Sequence, residues 1–338
     1  MVYNCYNSAK VKTKKMANQV LEIIKQRHQT QSQPGKRSDP HKVVLCVEGG
    51  GLRGVVSAGA LAALEALGYQ SAFDVVYGSS CGAYGGVMFV AGDCLTGTRF
   101  YLDYSQKQFI SIKRFLRGGP IFDLDYVSQT MHGKKLLDYE KAIKASPPLH
   151  IVATDANSAK PYVLKNFKND YELDRALKAT STFPLNRRVK PLIFHRHHFL
   201  DGYILDPFCL HGALKEQATH IMIIFSKPWR SRHPQTILDK KLLAPYFSKI
   251  SPNLAETYLN HGEYSVNGLS HVWNHYDGTH VLTVSPHKDQ KLPSQLTRNR
   301  KKLGKGYLAG AESVLNQLSP DGQTRKYILD HFKSVLHI

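Results

Sequence analysis

The strongest chemical signal in this chain is Gly78-Ser79-Ser80-Cys81-Gly82, a G-x-S-x-G pattern where an apolar run gives way to an Ala- and Gly-rich stretch. A serine hydroxyl becomes an effective nucleophile when a tight strand-to-helix turn lifts its oxygen clear and a base takes its proton. Glycines at Gly78 and Gly82 suit such an elbow, because a side chain there would collide with strand and helix. Gly85 and Gly86 let the following helix lie close to a sheet. An ordinary glycine-rich turn is the alternative. A second signal is Gly49-Gly50-Gly51-Leu52-Arg53-Gly54, after another apolar run. Consecutive glycines ahead of a helix leave backbone N–H groups unobstructed, ready to hold an oxyanion or a phosphate. The stretch also fits G-x-G-x-x-G. However, the acidic residue that a dinucleotide fold wants at the end of its second strand is missing, and the Ser80 elbow stands there instead. Two glycine turns at neighbouring strand ends fit an oxyanion hole beside a nucleophile better than a pyrophosphate site.

Spacing alone leaves the base open. A Ser…Asp…His triad would draw on His261, His271, His275 or His280, but among 17 histidines a late one is uninformative. His195 and His197, spaced to share one face of a strand, resemble metal ligands at first sight. No Asp, Glu or Cys beside them in sequence completes a set, so a surface-strand pair is the expectation. No metal or cofactor is expected.

With the residues in view, a family resemblance becomes specific. Gly49–Gly54 resembles the G-G-G-x-R/K-G oxyanion stretch of the patatin-like phospholipases, and Gly78–Gly82 resembles their G-x-S-x-G elbow. Phe199-Leu200-Asp201-Gly202-Tyr203 stands where that family carries its Asp-Gly motif. Ala153-Thr154-Asp155, Ala179–Pro184 and the run from Arg117-Gly118-Gly119-Pro120 to Leu124-Asp125 are similar to supporting segments, the last in a bacterial branch. The likeness covers roughly residues 43–226. Two departures stand out: Tyr203 replaces a small residue, which would reshape the pocket, and Ser79 and Cys81 replace the usual Thr and Ala. The resemblance implies a Ser80–Asp201 dyad, an oxyanion hole in Gly49–Gly54, and hydrolysis of fatty-acyl esters of phospholipids or lysophospholipids. An aspartate, ordinarily near ~4, serves as base only if burial raises its pKa. Arg53 either orients the glycine loop or meets a lipid phosphate. A serine esterase or thioesterase on soluble acyl substrates, and a catalytically silent lipid-binding scaffold, are the alternatives.

These residues need a particular scaffold. Val43–Val47 reads as a strand buried on both faces, Phe73–Tyr77 as a second, each followed by a glycine turn and a helix. The class is therefore α/β, and the resemblance implies a three-layer α/β/α patatin-like sheet. Further strands are expected at Leu149–Thr154, Leu192–Leu200, His220–Ser226 and His280–Ser285. Helices are expected at 97–108, 124–131, 138–145, 172–180, 208–217, 253–274, 297–318 and 322–335. Residues 1–42 form a basic leader, with nine Lys/Arg against Glu22 and Asp39, hence +7. Its stripe of Val11, Met16, Val20, Ile23 and Ile24 reads either as a membrane-lying amphipathic helix or as a helix packed on the flank, with 29–40 as linker. Residues 43–226 form the catalytic core, and 227–338 complete the same domain.

Composition supplies the setting. The chain has 338 residues and 45 Lys+Arg against 26 Asp+Glu, a net +19. No apolar run approaches the length of a membrane-spanning helix. The five cysteines are odd in number and lack C-x-x-C spacing, so neither a disulfide framework nor a zinc site is indicated. The N-terminus has no apolar core of a secretory signal, and Val2 stands where myristoylation would need a glycine. Cytoplasmic residence is the expectation, compatible with signal-less export. The charge implies peripheral contact with an anionic membrane surface. Arg187, Arg188 and Lys190 are expected to rim the site mouth; a further basic run covers 298–302. Nucleic acid is not an expected partner, since no recognition module appears.

Overall fold

The computed structural model describes residues 18–184, 189–228, 239–260 and 278–338. Helix α1 (18–29) precedes strand β1 (Val43–Val47). The glycine stretch and a 3-10 turn at Gly51–Arg53 then lead into α2 (Gly54–Ala66), followed by β2 (Val75–Ser79) and α3 (Cys81–Ala91). Helix α4 (Cys94–Arg99) continues as a π-helical stretch, Phe100–Phe109, before α5 (Ile112–Leu116), α6 (Leu124–Gly133) and α7 (Tyr139–Ile143). Then come β3 (Leu149–Asp155), β4 (Lys160–Leu164), α8 (Asp170–Thr180), β5 (Leu192–Phe194), β6 (His197–Leu200) and α9 (Leu210–Lys215). The chain closes with β7 (His220–Ile224), α10 (Ala244–Ile250), α11 (252–260), β8 (His280–Val284), α12 (Arg300–Leu318) and α13 (Gly322–Leu336).

The strands form one sheet ordered β5-β6-β3-β2-β1-β7-β8, with β4 also paired to β3. Strands β3, β2, β1, β7 and β8 run parallel, while β4 and β6 pair antiparallel with β3 and β5 pairs antiparallel with β6. β1 is buried at all five positions because both faces are covered, the reason its sequence is continuously apolar. Val43, Leu45 and Val47 pack with α2, α3 and α12, whereas Val44 and Cys46 pack with Phe208, Leu210 and Ala213 around α9. This is the expected three-layer arrangement. Helix α12 reaches α2 closely because its small residues permit it. A Cβ on Gly59 would come within 1.9 Å of the Tyr307 carbonyl oxygen, and one on Gly310 within 1.8 Å of that of Val56.

Local expectations needed correction. Leu192–Leu200 is not one strand but the β5–β6 hairpin, turning at His195 and Arg196, which both have positive φ. His195 and His197 therefore do not share a strand face. The stretch 97–108 is α-helical only to Arg99 and π-helical beyond it. Strand β4 and helices α5 and α10 were not expected; β4 alternates exposed and partly buried residues and α5 has no buried position. Of the helix expected at 253–274, residues 261–274 lie outside the described residues.

Helix α1 packs on the flank: Val20, Ile23 and Ile24 are buried in the main core, so this stripe is not free for a membrane. Val11 and Met16 lie outside the described residues. Arg27, 1% exposed, pairs with Asp39 at 2.7 Å and Asp74 at 2.9 Å and donates to the Ala72 and His41 carbonyls. Arg37 adds a 2.7 Å pair to Asp74 and bonds to the Ser32, Ser71 and Phe73 carbonyls. The segment read as linker is tied down by these two arginines.

Candidate active site

Strand β3 sets the geometry of the site. Its Ile151–Asp155 edge is taken by β4, so β2 and β6 must both use the opposite edge. β2 pairs there as far as Ser79 opposite Val152, and β6 arrives antiparallel with Leu200 opposite Thr154. The chain leaving β2 is Ser80 and the chain leaving β6 is Asp201. They meet end to end across Ala153, 121 residues apart in sequence, with Ser80 Oγ donating to Asp201 Oδ2 at 2.9 Å.

Ser80 sits at φ 54°, ψ −131°, a strained conformation that costs about 1–3 kcal/mol and persists only where its surroundings enforce it. The enforcement is visible. A Cβ on Gly78 would lie 2.5 Å from Ala83 Cα, and one on Gly82 2.3 Å from the Val47 carbonyl oxygen, so strand and helix close on the turn. The Ser80 N–H donates to Thr180 Oγ1 at 2.8 Å, and that hydroxyl donates to the Val152 carbonyl. Asp201 is held as firmly. Its N–H donates to the Thr182 carbonyl, its own carbonyl accepts from Thr154 Oγ1, and Oδ1 accepts from the Tyr203 N–H at 2.9 Å. A Cβ on Gly202 would lie 2.0 Å from the Val152 carbonyl oxygen, which accounts for the glycine after the aspartate.

The carboxyl of Asp201 is 4% exposed, and burial pushes its pKa up to about 7; the Tyr203 N–H and the Ser80 hydroxyl offset part of that rise. The base requirement set by an ordinary aspartate is thus met by desolvation. The Cys81 thiol is pushed up to about 12 by burial, with the nearby Asp201 adding to the rise, so it is no competing nucleophile at neutral pH.

The glycine loop has its own brace. Buried Glu48, the last residue before the glycines, accepts from the Ser226 N–H at 2.9 Å and the Ser226 hydroxyl at 3.0 Å. Arg53 Nε donates to that hydroxyl at 3.1 Å, an orienting role for the arginine. Leu52 donates to the Gln295 carbonyl, which fixes the far side of the loop. A Cβ on Gly49 would meet Ser80 Cβ at 2.9 Å, so the loop lies directly against the nucleophile. Among the described residues, the N–H groups of Gly50 and Gly51 are paired with no oxygen, and that of Gly50 faces the Cys81 sulfur.

Ser80, Asp201, Gly50, Gly51 and Leu52 line one cavity of about 240 Å³. Its remaining wall is mostly apolar, with Met88, Phe100, Phe109, Phe122 and Met131 prominent, and Tyr203 stands in it as the sequence suggested. A second chamber of about 460 Å³ shares Phe122, Leu124, Ser181 and Phe183 with the first and is lined otherwise largely by charged groups. There Arg114 pairs with Asp123 at 3.1 Å and Lys178 with Asp125 at 2.8 Å. Arg175 donates to the Ile193 carbonyl, but its buried Nε and the buried Ser181 hydroxyl have no partner among the described residues.

The triad alternative fares differently. His280 starts β8 opposite His220, which is itself opposite Val43, so it lies at the N-terminal end of the sheet, away from Ser80. His261, His271 and His275 lie outside the described residues, and no described histidine lines the cavity. Arg187 and Arg188 also lie outside them; Lys190 is exposed. His197 has a partner that spacing did not reveal, Asp155 Oδ2 at 3.0 Å, and no described cluster of three or more His, Cys, Asp or Glu is arranged to hold a metal. Sequence reasoning gave no role to Thr154, Thr180, Glu48 or Ser226. The available signals were Glu48, an acid between a buried strand and three glycines, and the threonines of the two supporting segments.

The family model described as Patatin-like phospholipase matches residues 45–214, half of the chain, a range that holds the glycine loop, Ser80 and Asp201, and this chain belongs to that family. The uncharacterized protein YjjU of Escherichia coli K12 is 25% identical over 194 residues, 56% of this chain and 53% of that protein. The match therefore spans about half the length of that curated relative. Among solved structures, VipD from Legionella pneumophila is similar with a TM-score of 0.36 and 14% identity, covering 87% of this chain and 67% of that one.

Proposed function

We propose that this protein hydrolyses the fatty-acyl ester bonds of phospholipids or lysophospholipids, as a phospholipase A or lysophospholipase, using a Ser80–Asp201 dyad. The observation that carries the reading is the 2.9 Å hydrogen bond between these two buried side chains at an apolar cavity. Ser80 Oγ attacks the ester carbonyl carbon while its proton passes to Asp201 Oδ2. The N–H groups of Gly50 and Gly51 hold the resulting oxyanion, a contribution of about 3 kcal/mol for a well-placed donor. Collapse of the intermediate expels the alcohol, which takes the proton from Asp201. Water then attacks the acyl-enzyme, giving its proton to Asp201, and the fatty acid leaves as Ser80 recovers the proton.

The side chamber supports a phosphate-bearing substrate over a neutral ester, because Arg175 is the cation there without a carboxylate partner among the described residues. The net charge supports peripheral contact with an anionic membrane. A fluorophosphonate probe tests the nucleophile: it should label wild type at Ser80 and leave Ser80→Ala unlabelled. Absence of labelling in wild type defeats the reading. Arg175→Met should raise the KM for a lysophospholipid about tenfold while leaving a monoacylglycerol of the same chain unaffected. Equal loss on both removes the headgroup assignment. Phospholipids with distinct chains at each position then fix regiochemistry.

A further inference from the structure

Between the cavity-lining residues Phe109 and Phe122 the chain makes an excursion that ends in solvent-exposed aliphatic side chains. Its ends are joined by the Ile110–Phe122 bridge, by Ser111 N–H to the Ile121 carbonyl at 3.1 Å, and by Asp123 N–H to the Phe109 carbonyl at 2.8 Å. Arg114 points inward and staples the excursion, donating to the carbonyls of Phe109, Pro120 and Ile121 and to Asp123. The Phe109 and Phe122 rings stack at 5.3 Å in the cavity wall. The base of the excursion is therefore part of the substrate site, and its shape is rigidly held.

The tip is α5, and its outward face is Ile112, Lys113, Leu116 and Arg117. Ile112 is 60% and Leu116 78% exposed, one helical turn apart. A single exposed leucine is ordinary; two aliphatics on one face, each beside a cation, match an amphipathic surface built for a lipid boundary. From 110 to 122 the chain carries Lys113, Arg114 and Arg117 and no acidic residue. A third exposed aliphatic, Ile193 at 61%, follows Leu192, which lines the side chamber together with Arg114 and Pro120. The two acids of that chamber are already neutralised, Asp123 by Arg114 and Asp125 by Lys178.

We propose that the α5 excursion is the membrane-docking element. Ile112 and Leu116 enter the headgroup–acyl boundary of an anionic bilayer, Lys113 and Arg117 meet lipid phosphates, and the cavity between Phe109 and Phe122 is brought to the lipid. This rests on the acyl-hydrolase reading for its purpose, but docking is measured separately from hydrolysis. An acidic protein surface would suit the cations, but the two aliphatics and the continuity with the cavity wall favour a lipid surface.

The test uses the full chain and phosphatidylcholine vesicles with and without phosphatidylglycerol. Wild type should sediment with the phosphatidylglycerol vesicles, and Ile112→Asp/Leu116→Asp should bind at least about tenfold more weakly with an unchanged melting temperature. Lys113→Gln/Arg117→Gln should lose affinity at low salt and show a flatter salt dependence. Both variants should hydrolyse a short soluble ester within about twofold of wild type, since neither touches Ser80 or Asp201. Leu116→Trp should shift its emission to the blue and be quenched by lipids brominated near the glycerol. Undiminished vesicle binding by the double Asp variant, or an unquenched Trp on bound protein, overturns the proposal. So does a change in oligomeric mass with lipid binding intact, which would assign the face to a second copy. Failure of wild type to cleave any ester would instead overturn the acyl-hydrolase reading, with the vesicle measurements standing.

Discussion

Replacing Asp201 by Asn should abolish activity and stabilise the fold, with a pH dependence that identifies the cause. Asp201 is 4% exposed, and burial lifts its carboxyl from 3.8 to about 7. Between those values the folded chain holds a proton that the unfolded chain has released. The contribution to stability is thus fully present below about pH 4 and is lost as pH rises through about 7. A displacement of that size corresponds to about 4 kcal/mol at most. Asn keeps the shape, and its amide oxygen can still accept from the Tyr203 N–H while its NH2 faces Ser80. Asp201→Asn should therefore match wild type near pH 4 and gain a few kcal/mol, up to about 4, by pH 8 in urea unfolding. Asp206, also pushed up to about 7 by burial, is common to both proteins and cancels in the difference. In wild type, the fraction of Asp201 in the base form rises from about 0.1 at pH 6 to about 0.9 at pH 8, so kcat/KM on a soluble ester should climb about tenfold. A stability gain independent of pH, or a variant less stable than wild type at pH 8, would refute the reasoning. So would a flat wild-type rate profile across that range.

Other substitutions probe the supports. Arg53→Met removes the donor to Ser226 and should lower kcat about tenfold or more with little change in melting temperature, separating loop orientation from folding. Arg27→Met strips the buried partner from Asp39 and Asp74 and should cost about 3 kcal/mol in urea unfolding; a loss under about 1 kcal/mol would show that α1 is not anchored as described. Gly202→Ala drives a Cβ into the Val152 carbonyl and should lower the melting temperature and disable Ser80 labelling together. Labelling retained at a native melting temperature would contradict that packing.

The sequence alone determined the elements whose signal is local. β1 shows as an unbroken apolar run because both its faces are covered, and the elbow and Asp-Gly turn show as glycines because backbone crowds them at about 2 Å. The family likeness drew on those same residues. Local signal failed where distant packing decides. Leu192–Leu200 is uniformly strand-like in composition, yet it folds back at His195 because β6 must run antiparallel on the β3 edge. The leader stripe was ambiguous until the core it covers was visible, since an apolar face says nothing of what it faces. Tertiary structure alone decided that Ser80 and Asp201 touch, through the shared edge of β3, and that burial makes an ordinary aspartate a base near neutrality. Desolvation is a property of the whole surround, and no residue carries it in its name.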